Sequence, residues 1–413
     1  MNRPGKRLRR PLRYTLALLA LSGGALAATT TSVRGADEMP RPAPAERSAE
    51  ALVEALGATE YSVREAAAAQ LLASPSAKPA LEAGQNHPDL EIRLRSGEIL
   101  KRLVRDDQER TLSAFLADPA SVEKSELPGW AVLEEAVGAG RTARETYVAI
   151  YRERPETLAS IAKGPLAAEA ELLRLTQTLQ GAMQGRLPDM DDVVAAMLLD
   201  EVAPPDASFE RVALLHNLLS SIQLQQSVHT EPETTPAMRL LKRWVSRDPG
   251  PALRQFKLRT ALLYEFGPEA LDLSRKTLAA GSEKQSSDPL ATAMLAVGRY
   301  GTEADTAALS QYLDEDEICH TWFNGNGESI KIQVRDVAMA VALHLQDQDP
   351  KAFGFEYVQR DESSLFAIYT LGFENDADRA RTLRKFGEWA RTSKAIALPA
   401  DFDAEIPVAT PTN

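Results

Sequence analysis

The chain has 413 residues, of which 44% are hydrophobic, so it is long enough to bury a large core. Its formal net charge is −12, and the first 36 positions hold seven basic residues and no acidic ones. The rest of the chain therefore carries 40 basic against 59 acidic side chains, a net charge of −19. Such a surface repels phosphates and anionic headgroups, so we expect no nucleic-acid partner.

The amino terminus has the pattern of a secretory signal peptide. Basic residues between Arg3 and Arg13 precede an apolar run from Leu16 to Ala28, and the small residues around Ala27 offer a cleavage site. We predict that residues 1–36 are a signal peptide and that the protein is exported, to the periplasm or the cell envelope. If the signal is cleaved, no integral membrane segment is expected.

An uncleaved anchor is the alternative to cleavage. The polar stretch Thr29 to Ser32 makes the apolar run weaker than a typical spanning helix, which favours cleavage. Residues 37–47 contain charges and prolines with little apolar character, and we predict a flexible linker there.

Helical periodicity begins at Ser48. Within Glu60–Leu72, the apolar residues Val63, Ala66, Ala67 and Leu71 recur at helical spacing and predict one buried stripe. A helix this short needs a stacked partner to bury its stripe. Val63-Arg64 and Ile92-Arg93 lie 29 residues apart in equivalent positions, which is typical of a compact helical repeat over 48–110.

These residues resemble a HEAT-like repeat found in exported proteins of planctomycete bacteria. The segment Glu60–Ala67, followed by Pro79–Leu81 and Leu90–Arg95, carries the likeness. The resemblance implies an all-α, HEAT/ARM-like α-α superhelix (a solenoid). It also implies that Arg64 and Arg93 are structural, each reaching an acidic or carbonyl partner in the adjoining turn.

The remaining chain is predicted to be mostly helical. Residues 111–235 form an irregular helical region, which could also be divergent repeats, and 236–395 form a C-terminal helical region with HEAT-like helices. Within 319–334, two short strands flank Asn324-Gly325, which predicts one small β-hairpin. Residues 396–413 are predicted to be a disordered tail.

The helix after the hairpin begins at Val334 and has a full apolar stripe. This hairpin and helix also resemble the C-terminal part of the planctomycete proteins. We interpret Arg335 and Asp336 as structural residues, because a carboxylate is favourable near a helix amino terminus.

No motif predicts catalysis, a cofactor or a metal. The five histidines are scattered singly, and the acidic run Asp314–Glu317 lacks the spacing of a calcium loop. The chain has no Gly-x-Ser-x-Gly motif and no phosphate-binding glycine loop. The single cysteine, Cys319, is expected to be a buried small side chain.

The function that these patterns favour is a scaffold that binds another protein, of unknown identity, without catalysis. Trp322 and Phe323 in the hairpin are the candidate interaction residues; the alternative is that they only help the hairpin to cap the helical array. A protein that stays tethered to the membrane and assists the assembly of a larger complex is a variant of the same hypothesis.

A carbohydrate-active enzyme of the α/α-toroid type is the alternative function. A cleft lined by two carboxylates and at least two aromatic side chains would favour it. A long groove without convergent polar groups would favour the scaffold.

Overall fold

A computed structural model describes residues 47–123, 126–182, 189–205, 208–221, 224–226, 234–281, 286–323, 327, 329–400 and 402. The predicted signal peptide, most of the predicted linker and most of the predicted tail lie outside these residues. In the described part, the protein is mostly helical, as predicted, with two small two-stranded antiparallel sheets. The described residues divide into two compact units, 47–103 and those from 104 to 402.

The first unit is built from short helices with polar caps. These are α1 (Ala49–Ala55), α2 (Tyr61–Leu72), α3 (Lys78–Gly84) and the start of α4 (Leu90–Ala117). The side chain of Ser48 accepts a hydrogen bond from the first turn of α1, and Asp89 Oδ1 accepts one from Glu91 N at 2.8 Å at the start of α4. A Cβ atom on Gly84 would lie 2.4 Å from Ser96 Oγ and 2.9 Å from Val53 Cγ1, so only glycine permits this packing.

The apolar stripe predicted for α2 is only half correct. Ala67 and Leu71 are buried in the same hydrophobic cluster as Leu52 of α1 and Leu56, the residue that follows α1. Val63 is half-buried, and Ala66 is exposed. The buried side of α2 therefore contains Ala67 and Leu71, because α1 packs against that side.

The second unit contains most of the helices. They include α5 (Trp130–Val137), α6 (Arg141–Glu153), α7 (Pro155–Lys163), α8 (Pro165–Ala182), α9 (Met190–Val202), α10 (Phe209–Leu219), α11 (Pro236–Ser246), α12 (Pro251–Leu263), α13 (Gly267–Ala280), α14 (Ser287–Tyr300), α15 (Thr306–Leu309), α16 (Val334–Leu345), α17 (Pro350–Phe353) and α18 (Asp376–Ser393). Several helices adjacent in sequence pack on one another, namely α8 on α9, α12 on α13, and α13 on α14. By contrast, α10 packs on α8 and α12, and α11 packs on α9. Among the described residues, no helix is both long and apolar enough to cross a bilayer.

The predicted hairpin is present and consists of β1 (Ile318–Phe323) and β2 (Ser329–Gln333). The Asn324-Gly325 turn itself lies outside the described residues. The prediction of a single hairpin was wrong, because β3 (Arg360–Asp361) and β4 (Leu365–Phe366) form a second sheet. Strands of two residues are too short to produce an alternating pattern in the sequence.

An aromatic cluster lies in the core of the second unit. Phe115, Trp130 and Tyr147 are buried, and the Trp130 ring makes edge-to-face contacts with Phe115 and Tyr147 at centroid distances of 4.8 and 5.5 Å. Tyr147 also donates its hydroxyl hydrogen to the Pro128 carbonyl at 3.2 Å. This cluster joins the end of α4 to α5 and α6.

Candidate functional site

The hairpin places its side chains on two distinct faces. Residues paired across an antiparallel ladder share a face. The pairs His320–Ile332 and Trp322–Ile330 form the inner face, on which both isoleucines are buried. The predicted residue Trp322 therefore lies on the inner face, where it is partly buried and its ring contacts Tyr369 edge-to-face at 6.0 Å.

Phe323 points to the opposite face, which we name the outer hairpin face. It comprises the pairs Ile318–Gln333, Thr321–Lys331 and Phe323–Ser329. An irregularity in the register between Ile318 and His320 shifts Ile318 onto the same side as Phe323. The Phe323 side chain is 68% exposed, and Ile318 is exposed as well. The two candidate interaction residues are adjacent in sequence but separated by the sheet.

A buried ion pair anchors the hairpin to the last helix. Asp336 is 0% exposed, and both of its carboxylate oxygens accept hydrogen bonds from Arg379 Nε, at 3.1 and 3.2 Å. Arg379 Nη2 also donates to the carbonyl oxygen of Lys331 in β2, at 2.8 Å. Burial raises the pKa of Asp336, and the Arg379 guanidinium opposes that effect.

The amino terminus of α16 completes this anchor. Asp336 Oδ2 accepts a hydrogen bond from Gln333 N at 2.9 Å, and Arg335 Nε donates to Gln333 Oε1 at 2.7 Å. The sequence indicated that Asp336 and Arg335 are structural, but it carried no signal for Arg379, which follows 43 residues later. The anchor fixes the end of β2 and so holds the outer hairpin face in place.

Arg64 in α2 and Arg93 in α4 make the same kind of contact. Arg64 Nη1 donates to the carbonyl oxygens of Ala58 and Thr59, at 2.7 and 3.0 Å. Arg93 Nη1 donates to those of His87 and Pro88, at 2.7 and 2.8 Å. Each arginine therefore bonds the carbonyl groups of the residues six and five positions before it. These bonds hold the turn that precedes the arginine's own helix.

The cysteine and a buried lysine have perturbed pKa values. Cys319 is only partly buried, yet burial raises the pKa of its thiol to about 12, which disfavours the reactive thiolate. Burial also lowers the pKa of Lys257 to about 7. Its Nζ donates to the carbonyl oxygens of Trp244 and Arg247, each at 2.6 Å, at the end of α11. Because Lys257 is buried and holds these carbonyl groups, we assign it to helix capping.

A cleft of about 350 Å³ lies between α17, the following turn and the start of α18. Three aromatic side chains contribute to its lining: Phe353 and Phe373, which are buried, and Tyr357, which is 40% exposed. The carboxylates of Glu356 and Glu374 also line it. The sequence did not identify this cleft, because its residues come from three separate segments and follow no motif.

A second cavity, of about 560 Å³, is lined by His344, Arg360 and Phe366 among others. Arg360 Nη2 donates to His344 Nδ1 at 3.2 Å, so this ring nitrogen is unprotonated. Burial and the nearby Arg360 charge both lower the pKa of His344. The imidazole is therefore neutral in this arrangement.

His344 should make the protein less stable in mild acid. In an unfolded chain the pKa of histidine is about 6.5, so the unfolded state takes up a proton at a higher pH than folded His344 does. Stability is therefore expected to fall as the pH drops from about 6.5 through the lower pKa of the folded state. We expect the urea midpoint to fall less between pH 7 and pH 5 in His344→Gln than in the unaltered protein. An equal fall in both proteins would contradict this role.

Among the described residues, no group of three or more His, Cys, Asp or Glu side chains is arranged to hold a metal ion. In comparisons with known proteins, no protein family model matches the chain, and neither a curated protein nor a solved structure is significantly similar to it. The hairpin, the cleft and the helices themselves are therefore the features that bear on function.

Proposed function

We propose that the protein is an exported helical-repeat scaffold that binds another protein in the periplasm or the cell envelope, without catalysis. The repeat architecture is supported by Arg64 and Arg93, which make equivalent contacts 29 residues apart. The packing of sequence neighbours such as α12, α13 and α14 on one another is also typical of an α-α superhelix. Export is inferred from the predicted signal peptide in residues 1–36.

The observation that carries the binding role is the exposure of Phe323. A phenylalanine that is 68% exposed leaves a large apolar surface in water, and Ile318 extends that surface on the same outer hairpin face. The Asp336–Arg379 ion pair holds this face on a rigid element. Aromatic side chains on pre-ordered surfaces contribute strongly to protein interfaces. The expected partner is a protein with an apolar pocket that accepts the Phe323 ring.

Replacing Phe323 by alanine is expected to remove the partner without unfolding the chain. The tagged full chain would be crosslinked in its own cell envelope, purified and analysed by mass spectrometry. We expect recovery of one discrete partner to fall about tenfold or more in Phe323→Ala. The free energy of unfolding should change by less than about 0.5 kcal/mol, because the side chain is exposed.

Leu166→Ala is the matched control, because Leu166 is 77% exposed in α8, outside the hairpin. It should leave recovery of the partner unchanged. A partner that Phe323→Ala still recovers, or that both variants lose equally, would contradict binding through the outer hairpin face. Failure to recover any partner would contradict the scaffold function.

The carbohydrate-active enzyme is the second candidate. It is favoured by one observation, the cleft lined by the carboxylates of Glu356 and Glu374 and by the aromatic rings of Phe353, Tyr357 and Phe373. Two carboxylates across a cleft are the usual requirement for glycoside hydrolysis. Turnover of a glycan that binds in the cleft would test this candidate.

A further inference from the structure

We propose that the cleft between α17 and α18 is a binding site for a neutral carbohydrate, with the ring of Tyr357 as the stacking platform. The ligand class rests on the second candidate function, but the proposal requires binding only and no turnover. It is independent of the outer hairpin face. The volume of about 350 Å³ is within the range of small-ligand pockets, roughly 300 to 1,000 Å³.

The aromatic residues of the cleft are held in fixed positions. Phe353 packs edge-to-face on Trp389 at 5.7 Å, and Phe373 contacts Phe355 at 5.1 Å, so the two buried rings form a firm base. Tyr357 donates its hydroxyl hydrogen to Glu374 Oε1, and this hydrogen bond raises the pKa of Tyr357 to about 12. The phenol therefore stays protonated and tethered, while Tyr357 as a whole remains 40% exposed.

The close approach of α18 to the turn after α17 shapes the wall of the cleft. Gly354 has a φ of +119°, and a Cβ atom there would lie 2.4 Å from Thr382 Oγ1. A residue with a side chain would be strained by this backbone conformation and would collide with α18. Glycine at this position lets the turn and the helix enclose the cleft.

The charges of the lining select against an ionic ligand. Three acidic and three basic side chains line the cleft: Glu356, Glu374, Asp378, Lys351, Arg381 and Lys385. Asp378 and Arg381 form an ion pair, and Lys385 Nζ donates to the Ala352 carbonyl. An anion would face three carboxylates and a cation would face three basic groups, so neither gains a net attraction.

A neutral polyhydroxylated ligand fits both features of the cleft. Each hydroxyl group can donate to a carboxylate and accept from a lysine or arginine. The C–H groups on one face of a sugar ring carry a partial positive charge, which the negative face of an aromatic ring attracts. A carbohydrate would therefore use the charged lining and the exposed Tyr357 ring together.

Calorimetric titration of the full chain would test the site with glucose, N-acetylglucosamine, cellobiose and maltose as probes. We expect saturable binding of at least one of them. Tyr357→Ala should weaken that binding about tenfold or more, whereas Tyr357→Phe keeps the ring and should stay within about threefold. Tyr369→Ala is the matched control, because Tyr369 is 45% exposed but does not line the cleft. This variant should bind the sugars as tightly as the unaltered protein does.

Three results would overturn the proposal: no saturable binding of any probe, equal binding by Tyr357→Ala, or tighter binding of the charged sugars glucuronate and glucosamine than of the neutral ones. Thermal unfolding of each variant shows whether it is folded. Binding without release of reducing ends would support this site and reject the enzyme. Because Phe323 lies on the hairpin and not in the cleft, Phe323→Ala should leave sugar binding intact, which separates this test from that of the scaffold.

Discussion

Replacing Arg379 by methionine is expected to destabilise the second unit by about 3 to 5 kcal/mol, because it leaves the Asp336 carboxylate buried without its ionic partner. It also removes the donor to the Lys331 carbonyl and the guanidinium that lies 5.5 Å from the centre of the Phe373 ring. The urea midpoint followed by tryptophan fluorescence measures this loss. All four tryptophans lie beyond residue 104, so their emission reports on this unit alone.

Two further variants separate the buried pair from a general effect of removing charge. Asp376→Ala removes the exposed partner of Arg379, which accepts a hydrogen bond from Nη1 at 2.8 Å, and should cost less than about 1 kcal/mol. The double variant Asp336→Leu, Arg379→Met should recover much of the stability lost in the single variant, because no unpaired charge remains. A loss below about 1 kcal/mol in Arg379→Met would show that the pair does not anchor the hairpin.

Replacing Trp130 by alanine should cost about 3 to 5 kcal/mol, because it opens a large cavity between α4, α5 and α6. The edge-to-face contacts with Phe115 and Tyr147 are lost together with the buried area. Urea unfolding followed by circular dichroism, or by the three remaining tryptophans, measures the effect.

The matched control for Trp130→Ala is Phe323→Ala, in which an exposed aromatic side chain is removed from the same unit. It should change the free energy of unfolding by less than about 0.5 kcal/mol. Trp130→Phe keeps one ring in the cluster and should lose less than Trp130→Ala. Equal losses in Trp130→Ala and Phe323→Ala would contradict the assignment of Trp130 to the core.

Local patterns were enough to predict the hairpin and the last helix. The pattern of residues 376–391 predicts the last helix, which spans Asp376–Ser393, because its boundaries depend on nearby residues such as the cap Asn375. Residues 302–313 also have the pattern of one helix, but the structure has only the short helix α15 (Thr306–Leu309) there, between two 3₁₀ turns. Asp305 Oδ2 accepts a hydrogen bond from Thr302 N at 2.8 Å at the start of this segment. Helical periodicity does not distinguish such a chain of short turns from one continuous helix.

For the candidate sites, the sequence identified residues but not their surroundings. Trp322 and Phe323 could be selected as aromatic neighbours on a strand, but only the pairing of β1 with β2 determined which of them faces outward. Asp336 could be placed at a helix start, but Arg379 could not be assigned to it.

The helical class and the position of the hairpin could be predicted from the sequence, because each depends on residues within a few positions of one another. The structural role of Arg64 and Arg93 was implied only by the resemblance to HEAT-like repeats. The exposure of Phe323, the burial of the Asp336–Arg379 pair and the cleft around Tyr357 depend on the folded chain. The ion pair and the cleft join residues distant in sequence, and the exposure of Phe323 follows from the pairing of β1 with β2. Such contacts arise from packing that no local spacing encodes.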